Sequence, residues 1–144
     1  MPTYGERFRQ CIREAIVRRA GTASDANALA DATLRTWQEM EAQLAPVIGT
    51  RGVDVLFARA LHITSATFPW LEIPRDRKDS DDRPASVKRR LTGCEPDVAE
   101  EASVALLTTF VELLTTLIGE NLTEHLLETA WAPGSPASKR ETDS

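Results

Sequence analysis

Few residues in this chain of 144 have both the type and the spacing for catalysis or metal binding. The two cysteines, Cys11 and Cys94, lie far apart with no CxxC motif, so we expect two reduced thiols and no zinc site. A Gly-rich phosphate loop, a GxSxG motif and an HExxH motif are all missing from the sequence. We therefore predict a protein that is not an enzyme, with no catalytic residues, no metal and no cofactor.

His62 is the residue that most invites a chemical role, because it lies near the predicted end of a helix. A histidine on a small helical bundle is similar to the phosphorylated site of histidine phosphotransfer domains. In those domains Lys and Gly follow the histidine closely, whereas Ile63 and Thr64 follow it here. The resemblance covers only these few residues and implies phosphotransfer through His62. The alternative is a histidine that interacts with the helix C-terminal dipole.

The aromatic residues offer a second kind of site. Trp70 and Trp131 are interpreted as the rim of an apolar groove, and the alternative is that they cap the ends of the core. A small apolar-ligand sensor would instead need an internal pocket between the two helical units. We expect such a pocket to be lined by Trp37, Phe57, Phe110 and Leu114.

The hypothesis that we favour is a non-enzymatic helical module, regulatory or a subunit, that binds a protein partner or itself. Self-association would use either Phe8 and Ile12 on the first helix or the segment around Phe68 and Trp70. The apolar residues predicted to bind a partner or ligand are, in full, Phe8, Ile12, Trp37, Phe57, Phe68, Trp70, Phe110 and Trp131.

Helical spacing of apolar residues runs through the whole chain and predicts an all-α fold. The first helix covers about residues 3–20, and the second begins near Ser24 and breaks between Pro46 and Gly49. The third covers about residues 52–64, the fourth 96–118 and the fifth 122–131. The fourth is apolar on more than one face, so we expect it to be the central helix.

A shift of seventy residues aligns two halves of the sequence, with Ile48-Gly49 on Ile118-Gly119. Apolar positions match on both sides of this pair, for example Trp37 with Leu107. The sequence therefore predicts a five-helix bundle made of two helix–Gly–helix pseudo-repeats and an N-terminal helix.

Charge and composition predict the connector, the tail and the basic and acidic parts of the chain. Residues 74–95 are polar with two prolines in their first part, which predicts an exposed and partly mobile connector. A short helical turn could form inside it over Ser86 to Leu91. We expect one helical domain over residues 1–131 and a disordered tail over 132–144. Residues 1–20 and 75–90 are basic, whereas residues 91–144 hold ten acidic and two basic residues.

The net charge of −5 gives no support to nucleic-acid binding. No signal peptide is recognisable in the first twenty residues, and no apolar stretch reaches the roughly 20 residues that span a bilayer. We therefore expect a cytoplasmic protein with no membrane span.

Overall fold

The helices of this computed structural model follow the apolar spacing of the sequence. The structure describes residues 4–21, 25–71 and 83–127, and no strand occurs among them. The elements are α1 (Tyr4–Ala20), α2 (Ala26–Thr64), a 3₁₀ turn (Pro69–Leu71), α3 (Arg83–Thr92), α4 (Pro96–Ile118) and α5 (Glu120–Leu127). The predicted all-α five-helix bundle is confirmed, although its helices are divided differently.

The predicted second and third helices form one element, α2, which changes direction at Gly49. Pro46 lies inside α2 without ending it, and the backbone leaves helical geometry only at Gly49, with φ 86° and ψ 151°. This region of conformational space is almost restricted to glycine. Asp25 rather than Ser24 is the N-cap, because its side chain accepts a hydrogen bond from the Ala28 amide at 2.8 Å. Ser24 itself lies outside the described residues.

The helical turn considered inside the connector 74–95 is present as a longer helix, but the exposure predicted for this part is wrong. Residues 83–92 form α3, and its Val87 and Leu91 are 3% and 1% exposed. These side chains lie four residues apart, so both fall on one helix face that packs mainly on α2. The mobility predicted for the first half of the connector lies outside the described residues, as does the tail 132–144.

The core sits around α4, as expected for the most apolar helix. Phe110, Val111 and Leu114 have no exposed surface, and α4 contacts every other helix. In length and hydropathy α4 resembles a membrane span, but half of its most apolar window is buried inside the fold. A core helix of a water-soluble bundle meets the same test, so the expected absence of a membrane span stays a prediction.

The seventy-residue register reappears in the backbone. The long helical segments begin at Ala26 and Pro96 and end at Gly49 and Gly119, each pair separated by that same offset. Gly119 has φ 93° and ψ 161°, close to the values at Gly49. That the two halves are true repeats stays a prediction, and these shared boundaries support it.

Candidate functional site

Three of the predicted pocket residues meet in the core rather than around a ligand-sized space. The Trp37 ring lies 4.4 Å from Phe57 and 4.8 Å from Phe110, centroid to centroid, with the second pair edge-to-face. Phe110 and Leu114 are fully buried, and neither lines the cleft that Trp37 and Phe57 border. The three aromatic side chains therefore lie together, and their contacts are those of a packed core.

The face of α1 that was predicted to mediate self-association is covered within the chain. Phe8 is 4% exposed and Ile12 is fully buried, because α1 packs against both α2 and α4. Phe8 and Ile12 thus complete the core of a single copy and are not available to a partner. Arg9 and Arg13 border this contact and pair with Glu101 and Glu100 at 3.4 Å and 2.5 Å.

Phe68 and Trp70 form a half-buried aromatic pair beside the 3₁₀ turn. Their rings are 6.0 Å apart in an edge-to-face arrangement. Arg90 of α3 donates to the Trp70 carbonyl oxygen at 2.8 Å, so the pair is tied to α3 rather than projecting freely. The other predicted rim residue, Trp131, lies outside the described residues.

His62 is exposed on the last turn of α2, as phosphotransfer would require. Its backbone carbonyl accepts a hydrogen bond from the Ser65 hydroxyl at 2.7 Å. His125 is exposed on α5. Within the described part of the chain, no three His, Cys, Asp or Glu side chains are grouped as metal ligands.

Burial shifts the pKa of Arg19 and that of Cys94. Desolvation lowers the pKa of Arg19, and the negative charge of Glu39 opposes part of that effect. The Arg19 guanidinium donates to the Thr36 hydroxyl at 3.2 Å. Desolvation raises the pKa of the Cys94 thiol, whose sulfur lies 3.4 Å from the Arg90 carbonyl oxygen. A raised pKa leaves less thiolate at neutral pH, so Cys94 is a poor nucleophile.

Two exposed surfaces were not foreseen from the sequence. The first, the basic stripe, runs along the second segment of α2 through Arg51, Val55, Arg59 and Ile63, four residues apart and all exposed. Val55 is 59% exposed and Ile63 is 43% exposed. The four-residue spacing was the available signal, but it became meaningful only once the opposite face was known to be buried.

The second surface, the acidic corner, surrounds the bend at Gly119. Leu117 and Leu122 are 63% and 42% exposed, on either side of the bend. The exposed acidic residues nearby in sequence are Glu112, Glu120 and Glu124. No Lys or Arg occurs between Arg90 and Lys139, so the charged side chains that the described part of α4 and α5 contributes are acidic apart from His125.

No known protein family model matches this chain, and no curated protein or solved structure is significantly similar to it.

Proposed function

We propose that this protein is a non-enzymatic helical interaction module that associates with further copies of itself. The observation that carries the proposal is that the two exposed surfaces are complementary. Both carry apolar side chains, and one is basic whereas the other is acidic. The basic stripe alternates arginine with aliphatic side chains, and the acidic corner combines leucine with glutamate. Such surfaces match in both polarity and charge, which favours contact between them.

The apolar residues supply the attraction, and their number sets its strength. Fully burying one Val, Leu or Ile side chain contributes about 1.5–3 kcal/mol, and these four are already about half covered. Association meanwhile costs an estimated 4–15 kcal/mol in lost translational and rotational freedom. The contact is therefore weak, and it is populated only at high protein concentration or where the protein is held locally.

The arginines and glutamates give the contact its orientation. Among the described residues, neither Arg51 nor Arg59 forms an ion pair within the chain. Because the stripe of one copy meets the corner of another, the pair keeps one unused corner on the first copy and one unused stripe on the second. A head-to-tail contact of this type produces rings or open chains rather than a closed symmetric dimer.

Sedimentation velocity across a concentration series tests the proposal. We expect a mass average that rises beyond the dimer with concentration and falls when the salt concentration is raised from about 0.05 M to about 0.5 M. A chain that stays monomeric at the highest concentration in low salt would contradict self-association.

Charge reversal tests whether the two surfaces meet. Arg59→Glu in the basic stripe should lower the association constant, and adding Glu112→Arg in the acidic corner should recover part of it. Arg18→Glu is the matched control, because Arg18 is an exposed arginine on α1 that belongs to neither surface. Equal weakening by Arg18→Glu and Arg59→Glu would indicate a general charge effect and reject the assigned surfaces.

A further inference from the structure

A narrow cleft lies between α2, α3 and α4, and Trp37 and Phe57 are the predicted site residues that line it. Its walls are almost entirely apolar. The lining residues are Ala30, Thr33, Leu34, Trp37, Phe57, Val87, Lys88, Leu91, Leu106 and Leu107.

Trp37, which lines the cleft, carries an unpaired donor. The side chain is 3% exposed, and its indole Nε1 has no hydrogen-bond acceptor among the described residues. A buried donor without an acceptor costs about 1–3 kcal/mol, and native proteins rarely leave one unexplained.

The other polar groups of the cleft already have partners. Thr33 donates its hydroxyl hydrogen to the Leu29 carbonyl oxygen at 2.8 Å. The Lys88 ammonium group pairs with Asp31 at 3.4 Å. Trp37 Nε1 is therefore the donor of the cleft that has no acceptor among the described residues. Its apolar surroundings favour a single neutral acceptor. A buried carboxylate would need a charge partner that Lys88 gives to Asp31 instead.

A molecule larger than water can enter the cleft only if one of its walls moves. About 10 Å³ is open to the centre of a water molecule, close to the minimum of ~10–15 Å³ for a single water. Helix α3 packs mainly on α2 and makes few contacts with α4, so the cleft opens at least cost by separating α3 from α4 while α3 stays packed on α2. Its Lys88–Asp31 pair is partly exposed, and exposed ion pairs contribute only about 0–1 kcal/mol.

We infer that this cleft is a binding site for a small neutral apolar molecule carrying one acceptor oxygen, such as a ketone, which accepts from Trp37 Nε1 while α3 moves away from α4. This site is independent of the two surfaces proposed for self-association.

Indole resonances in ¹H–¹⁵N spectra of the full chain test the site directly. The three tryptophans give three signals, and Trp37→Phe identifies that of Trp37 by its loss. Cyclohexanone should shift the Trp37 N–H signal in a saturable way. Methylenecyclohexane, of the same shape without the oxygen, should bind more weakly and leave the N–H shift nearly unchanged. The inference would be overturned if the two probes had equal effects or if only the other tryptophans shifted. It would also be overturned if the Trp37 N–H contacted a water that neither probe displaces.

A matched pair of truncations separates the cleft from the general core. Val87→Ala removes volume from the α3 wall, whereas Val53→Ala removes the same atoms from a fully buried position that does not line the cleft. The first should tighten cyclohexanone binding by about fivefold, the equivalent of roughly one more buried methylene group. The second should leave affinity unchanged, and an equal gain in both variants would contradict the site.

Discussion

At the scale of single residues, two glycines decide where the chain turns. Gly49 and Gly119 both have positive φ and extended ψ, a combination that costs other residues about 1–3 kcal/mol. Helical segments of similar apolar pattern precede each glycine, and without it the helix would continue straight. The glycine thus converts one long amphipathic run into two packed helices.

Replacing Gly49 by alanine should destabilise the fold by about 1–3 kcal/mol. A Cβ at this position meets no atom within 4 Å, so the whole cost comes from backbone conformation. Urea unfolding measures the loss.

Gly52→Ala is the matched control, three residues further along α2. Its Cβ would be 3.5 Å from that of Ile48, an ordinary contact. Because Gly52 is helical, alanine should stabilise it by roughly 0.5–1 kcal/mol. Opposite signs for the two variants support the conformational explanation, whereas equal effects would contradict it.

The start of α2 also depends on one side chain, that of its N-cap Asp25. Asp25→Ala removes the acceptor for the Ala28 amide and should cost about 1 kcal/mol in chemical denaturation. Asp25→Asn keeps an acceptor oxygen and should cost clearly less. If both variants lose the same stability, the cap would act through its charge alone.

At the scale of helices, apolar burial contributes more than ion pairs to the stability with which α1 packs on the bundle. Arg9 and Arg13 reach Glu100 and Glu101, but all four side chains are between 28% and 52% exposed. Pairs of this kind contribute about 0–1 kcal/mol. The fully buried Ile12 lies on the same helix, and its packing dominates.

Ile12→Ala should therefore cost about 2–5 kcal/mol, and Arg13→Ala no more than about 1 kcal/mol. Thermal or urea unfolding of the two variants provides the comparison. A larger loss for Arg13→Ala would show that the charges, and not the core, hold α1 in place.

Helix α3 is the element where the surrounding sequence misled the prediction. Its charged residues, preceded by a polar segment, are typical of an exposed connector, yet Leu91 is 1% exposed. Leu91→Ala should cost about 2–5 kcal/mol, as in a core. Leu122→Ala, at a 42% exposed position, should cost far less. Similar small losses for both would place α3 outside the cooperative fold.

At the scale of the whole molecule, each half of the chain places its short basic helix against the long helix of the other half. Helix α1 pairs with Glu101 of α4, and α3 pairs with Asp31 of α2 through Lys88. Asp31 and Glu101 are themselves seventy residues apart. This reciprocal arrangement is what a duplicated unit with approximate two-fold symmetry predicts.

Neither half should fold alone, because each buries its apolar faces against the other. We expect separate chains of residues 1–71 and 72–144 to show little cooperative unfolding, and an equimolar mixture to regain helicity by circular dichroism. A half that unfolds cooperatively by itself would contradict the mutual dependence.

The sequence by itself determined the helical class, the position of α4 and the two glycine bends. Apolar periodicity and glycine placement act over a few residues, so they can be read along the chain. Only the tertiary structure decided that Phe8 and Ile12 are covered, that α3 belongs to the core and that Trp37 has an unpaired N–H beside a cleft. Each of these depends on which distant residues come together, and burial of a given face is a property of its neighbours rather than of its own sequence.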